Sequence, residues 1–325
     1  MNIQKVLLPN SLVPSLVPSL VASLIAVSLA AGCSGGKQTP VAHVAVESGL
    51  VRLPFGQART VRLTWTPSAP LAGETPTVFV HLLDSQQKMV RTFDHPFPQR
   101  WREGAPVTDD FKVYQSALAP PLPAGKYQVV LGLYGRERKR WALDGLGEPV
   151  GKDEYKGFQI EVPAQDSSPK LTFSPTWLPV EAGGDRQVVA RRWMADRGDI
   201  RVADQTGPGV VWLVVQIPPM GKSDYSLALD PGASAPSVLV QGNCGGGETN
   251  LSGPGIHEVE VALDSPPPDA PCRVQLSANY FIQSRTTVGR KRSASLENIA
   301  WIPGGSRKPS SPAPADQASS PSAPQ

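Results

Sequence analysis

His81, Asp94 and His95 are the polar residues of this chain best suited to chemistry. Brought together by adjacent strands, two imidazoles and a carboxylate can bind a metal ion or orient a sugar hydroxyl. A zinc set asks for a third protein ligand, and the remaining histidines, His43 and His257, stand in unrelated contexts. The same residues also fit structural roles. His81 alternates with Val80 as along a strand, where a hydrogen-bonded histidine is ordinary, and Asp94 before His95-Pro96 has the chemistry of a turn. Aromatic residues offer a second possibility. Trp101, Tyr114, Tyr134 and Trp141 in the first half can stack on sugar rings, with Arg102, Arg140 and Asp144 near them in sequence to bind hydroxyls. The competing use of such rings is to fill a core, which is favoured more strongly for Trp177, Trp193 and Trp212.

Other motifs carry less. Arg197-Gly198-Asp199 spells an adhesion tripeptide, yet the same residues make an ordinary turn between strands. Gly245-Gly246-Gly247 lacks the Lys and Ser/Thr of a phosphate loop and reads as a flexible turn. Asp109-Asp110 is not followed by the spaced oxygen ligands of a calcium loop. There is no G-x-S-x-G elbow for a nucleophile, and no pair of carboxylates stands out for glycoside cleavage. The expectation is no catalytic residue, no metal and no cofactor.

The elements that must position these residues are strands. The chain has 325 residues, a formal net charge of only +3, 35 prolines and 30 glycines, and no basic stripe for nucleic acid. Proline and glycine fall between short apolar runs, as in an all-β protein with many turns. Val61, Leu63 and Trp65 alternate with Arg62 and Thr64, and Val259, Val261 and Leu263 with Glu258 and Glu260. Tyr127, Val129, Leu131 and Leu133 repeat the same period of two, the mark of a strand with one buried face. Thr77–Leu83 and Val210–Ile217 are apolar on both faces, as central strands are. Turn signals about every ten residues suit a sandwich. The expected fold is all-β: two tandem β-sandwich domains, immunoglobulin-like or jelly-roll-like, over 41–163 and 170–303, joined by a linker at 164–169. Residues 304–325, rich in Pro, Ser and Ala, are expected to be a disordered tail.

The N-terminal segment has a different character. Lys5 precedes an apolar stretch, and Leu20–Gly32 carries no charge yet falls short of the roughly 20 residues that span a bilayer. Its end, Leu29-Ala30-Ala31-Gly32-Cys33-Ser34, resembles the lipobox of bacterial lipoproteins. That resemblance implies a signal peptide over 1–32, lipid on Cys33 as the mature N-terminus, and a polar tether over 33–40. It also implies a cell-envelope location outside the cytoplasm, held to a membrane by the lipid, since each buried methylene of an acyl chain contributes about 0.8 kcal/mol. With Cys33 so assigned, Cys244 and Cys272 remain as a pair in an oxidising compartment, and a disulfide is expected between them. A cysteine metal site is the weaker alternative without a C-x-x-C spacing.

The first region also resembles a β-sandwich module of bacterial envelope proteins, including the soluble portions of some membrane glycosyltransferases. The resemblance rests on Val78-Phe79-Val80-His81-Leu82-Leu83-Asp84, Asp94-His95-Pro96, Trp101-Arg102-Glu103-Gly104, Leu122-Pro123-Ala124-Gly125-Lys126-Tyr127 and Leu131-Gly132-Leu133-Tyr134. Weaker echoes follow at Trp177 with Glu181, at Arg192-Trp193-Met194 and at Tyr280-Phe281-Ile282, while Gly289-Arg290-Lys291-Arg292 departs from an aspartate that the family often carries. The resemblance implies a fold and no activity. The functional expectation is a non-catalytic envelope lipoprotein that binds or scaffolds a surface polysaccharide or an envelope assembly. The alternative is an envelope glycan hydrolase whose carboxylates are not identified.

Overall fold

The computed structural model describes residues 38–71, 73–164, 169–184, 187–221, 225–284 and 291–304. Residues 1–37, Cys33 among them, and residues 305–325 lie outside them. The described chain is all-β, and among the described residues no helix is long and apolar enough to cross a membrane.

Strands from the first half form two sheets. One is four-stranded, with Ala42–Val46 and Ala58–Pro67 flanked by Leu143–Asp144 and Val107–Tyr114. The other centres on Thr77–Leu83, Gly125–Tyr134 and Glu154–Val162. The alternation read from the sequence explains the packing. Val61, Leu63 and Trp65 point inward and are buried, while Arg62 and Thr64 are exposed. Across the gap, Val78, Val80 and Leu82 meet Val129, Leu131 and Leu133 in the same core. Fully burying one such side chain contributes about 1.5–3 kcal/mol. The Leu-Pro-x-Gly-x-Tyr run fastens a corner: the Tyr127 hydroxyl donates to the Pro123 carbonyl at 2.7 Å, the device by which a tyrosine holds a sandwich corner. The Phe79 and Gly132 segments explain each other. The two residues are cross-strand partners, and a Cβ at Gly132 would lie 2.1 Å from the Phe79 ring, which lies over the glycine.

The second half builds two five-stranded sheets and a two-stranded ribbon. One five-stranded sheet runs Trp177–Ala182, Ala190–Met194, Ser295–Pro303, Gly209–Ile217, Gly255–Leu263; the other runs Lys170–Phe173, Arg197–Ala203, Cys272–Ala278, Ser237–Gly242, Glu248–Ser252. Val211, Leu213 and Val215 of the first face Val238, Val240, Val274 and Leu276 of the second. Cys244 and Cys272 are disulfide-bonded, with Cα atoms 5.5 Å apart, closing a loop of 28 residues.

The first of these sheets is covered on its other face as well. Trp212 and Ala300, which point away from the second-half core, belong to the core cluster of the first half. Backbone hydrogen bonds tie the halves directly: Trp301 N–H to Gly56 at 2.8 Å and Ala117 N–H to Ile299 at 2.9 Å. Double coverage is why Ser295–Pro303 is buried almost throughout, polar Ser295, Glu297 and Asn298 included.

Candidate functional site

His81, Asp94 and His95 do not form one constellation. The His81 Nε2 lies 3.5 Å from Asp94 Oδ1, beyond a good hydrogen bond, and that oxygen accepts the Val80 N–H at 3.0 Å. His95 turns to a different carboxylate. Its Nε2 lies 3.1 Å from Oδ2 of Asp109, and its Nδ1 lies 2.9 Å from the Phe93 carbonyl oxygen. Asp109 is 1% exposed and also accepts the Trp65 indole N–H at 3.1 Å. Both ring nitrogens of His95 therefore face acceptors, and only the doubly protonated ring donates to both. Burial works against that charge. The hydrogen bond and charge of Asp109, the Phe93 carbonyl and the charge of Asp94 outweigh it, and the His95 pKa is held above its ordinary value. The pair joins the two sheets of the first sandwich, since His95 lies beside Thr77–Leu83 and Asp109 on Val107–Tyr114.

His95 and Asp109 line a cleft of about 620 Å³ between the two halves. Its walls come from Val107–Tyr114 on one side, and from Gly209–Ile217, Gly255–Leu263 and Ser295–Pro303 on the other. Lys112 crosses it, 2.7 Å from Glu258 and 3.0 Å from Glu260. Burial opposes the Lys112 charge, but the hydrogen bonds and charges of those two carboxylates raise its pKa above the usual lysine value. The Trp212 indole donates to Glu258 at 2.6 Å, and its ring packs against Tyr114 with centroids 4.7 Å apart. Deeper, Glu297 is buried against Arg191 at 3.1 Å and Ser295 at 2.6 Å, and the Asn298 amide donates to the Tyr114 hydroxyl at 3.1 Å. Asp110, on the exposed face of its strand, is paired with Arg62 at 2.7 Å.

The aromatic candidates are mostly packed. Trp101 donates to the Ala69 carbonyl at 2.9 Å and rests on Phe97. Trp141 is buried over Gly135, and Tyr134 stacks on Phe79. None of the three lines the cleft. In the second half Trp177 fills the core. Trp193 is half-buried and donates to Glu181 at 3.0 Å, under Arg292, and Trp212 faces the first half instead of its own core. Arg197-Gly198-Asp199 opens a strand and is not a turn; Gly198 is under the Trp177 ring, where a Cβ would meet it at 2.5 Å. Gly245-Gly246-Gly247 is a turn, with positive φ at Gly245 and Gly247. His43 pairs with Asp144 and His257 with the Gly253 carbonyl. Among the described residues, no three His, Cys, Asp or Glu side chains converge as a metal set.

From sequence, Asp109 was weighed only as a calcium ligand, and Lys112, Glu297 and Asn298 were not singled out. For Asp109 the signal was present: it occupies the inward phase of Val107, Phe111 and Val113, where a lone carboxylate must find a buried partner. For the others there was none, because the cleft joins strands far apart in the chain. No protein-family model matches this chain, and no curated protein matches it.

Proposed function

We propose that this is a non-catalytic lipoprotein of the cell envelope, anchored through lipid on Cys33, whose two sandwiches act as one binding or scaffolding module. Its partner is a surface polysaccharide or a component of an envelope assembly. The lipobox-like Leu29–Ser34 supports the anchor and the location; Cys33 itself lies outside the described residues. The observation that carries the binding reading is the state of the charges in the cleft. Asp109, Asp110, Glu258 and Glu297 are each engaged by a cation or an N–H or O–H donor of the protein. A glycan hydrolase needs one carboxyl group to donate a proton and a second to attack or to activate water. Carboxylates tied into ion pairs are poorly placed for either task, whereas a cleft of fixed donors and acceptors suits recognition.

Two experiments test the two parts. Metabolic labelling with a fatty-acid probe should mark the parent protein, and Cys33→Ser should lose both the label and firm membrane association; equal label on both proteins overturns the anchor. The full chain applied to a glycan array should bind glycans without altering them. Shortened products in the mass spectra of the arrayed glycans would overturn the non-catalytic reading in favour of hydrolysis.

A further inference from the structure

We propose that the solvent face of the disulfide-bearing sheet carries a groove for a neutral, hydroxyl-rich oligosaccharide. The groove holds about 490 Å³ and lies apart from the cleft between the halves, sharing no residue with it. Its floor is a row of four polar side chains in register. Asp199 is opposite Gln275, Gln275 opposite Gln241, and Gln241 opposite Glu248. Strands lie about 4.7–4.9 Å apart, so the row runs about 14 Å across the sheet. Alternation sends their neighbours Ile200, Val240, Val274 and Leu276 into the core, which leaves all four on the outer face.

The row is already ordered. Gln275 donates to Asp199 at 2.7 Å, Gln241 donates to Glu248 at 2.6 Å, and Arg197 donates to the Gln275 carbonyl oxygen. One wall is braced by the disulfide, because Asn243 and Arg273 adjoin its two cysteines and bond each other through backbone and side chain. Among the described residues the Arg273 guanidinium forms no hydrogen bond or ion pair. Two carboxylates stand against two guanidiniums in the lining, and the other lining groups are amides and glycines. Charge is balanced, so a polyanion finds no net attraction to offset the water its carboxylates give up, and a neutral chain fits better. Planar amide, carboxylate and guanidinium groups offer donors and acceptors side by side, which matches adjacent hydroxyls of a pyranose. Their fixed orientation reduces the ordering cost of binding. Without an aromatic in the lining each contact is weak, and a polymer would be held through many copies of the protein on one membrane. This inference takes its ligand class from the binding-module proposal, while its location rests on the groove alone.

The test uses the full chain in a polyoxyethylene detergent, whose head group carries no sugar. Saturation-transfer NMR and titration calorimetry are run with maltohexaose, laminarihexaose and xylohexaose, and with an oligogalacturonate. At least one neutral hexaose is expected to bind the parent more tightly than the oligogalacturonate does. Gln275→Ala is expected to weaken that binding at least tenfold. Arg273→Ala, at an exposed residue whose guanidinium has no partner among the described residues, is expected to do the same without affecting folding. Lys112→Ala in the cleft is the discriminating variant: a loss confined to it overturns the groove and leaves the binding-module reading standing. Failure of every neutral hexaose to bind, or equal affinity for the oligogalacturonate, overturns the groove's ligand class.

Discussion

The two sandwiches hold their sheets in place by different chemistry. Both have apolar cores, and in the first a buried ion pair also bridges the sheets: His95 from one sheet meets Asp109 from the other, and Trp65 supplies a further donor to the same carboxylate. In the second, no ion pair bridges the facing sheets among the described residues: apolar side chains fill the space between them, the Trp177 indole donates across to the Asp199 carbonyl at 3.1 Å, and the Cys244–Cys272 disulfide fastens the outer sheet to the turn beside it. An ion pair depends on protons and a disulfide on oxidation, so pH and reductant act first on different halves. A buried pair also fixes geometry more than it adds stability, because both charges give up water to form it.

The sharpest way to break the comparison is Asp109→Ala. It leaves the His95 imidazolium and the Trp65 N–H without their acceptor, and a loss of about 3–5 kcal/mol is expected. Hydrogen exchange followed by mass spectrometry should quicken at Ala58–Pro67 and Val107–Tyr114 and hold steady at Cys272–Ala278. Equal quickening in both halves would mean that they respond as one body and that the contrast is false.

Removing the disulfide by a Cys244→Ala/Cys272→Ala double variant is the converse. For a loop of 28 residues the chain-entropy account gives roughly 3–4 kcal/mol, an upper figure wherever the unfolded chain keeps some structure. Exchange should then rise at Ser237–Gly242 and Cys272–Ala278, with Val107–Tyr114 unaffected. Unchanged urea midpoints would show that apolar packing of the second sandwich suffices by itself.

The smallest effect is the one on pH. His95 has a folded-state pKa above its unfolded value of 6.5, so its stabilising contribution is complete below about pH 6.5 and is lost as pH rises through the folded value. The charged groups facing it are Asp109 and Asp94. The thermal midpoint of the parent should fall between pH 6 and pH 9, and His95→Gln should flatten that slope. An identical slope in both proteins would assign the pH response to other groups.

Much of the fold was legible because a period of two needs only neighbouring residues. Val61–Trp65, Val259–Leu263 and Tyr127–Leu133 alternate in the sequence as they do in the sheets. The Cys244–Cys272 bond was reached through the lipobox resemblance and is present. The site was less legible. His95 was grouped with His81 and Asp94 by proximity in the chain, but its partner is Asp109, on the opposite sheet. Trp212 looked like core, and it is buried, though against the other sandwich. Lys112 and Glu258 are 146 positions apart; no local pattern encodes that meeting, which depends on how two finished sheets rest on each other.

The strand Ser295–Pro303 has a consequence for how the molecule is made. It occupies the middle of its sheet, between Ala190–Met194 and Gly209–Ile217, and it supplies the backbone partners of Gly56 and Ala117. During synthesis it emerges after every strand it must join. Until then two flanking strands keep unpaired edges, and the first sandwich lacks its backbone bonds to Ile299 and Trp301. Contacts of such sequence separation make folding slow and leave the waiting edges prone to association with other chains. A chain shortened ahead of Ser295 would lose more than one strand: it would also lose the backbone bonds that tie its halves together.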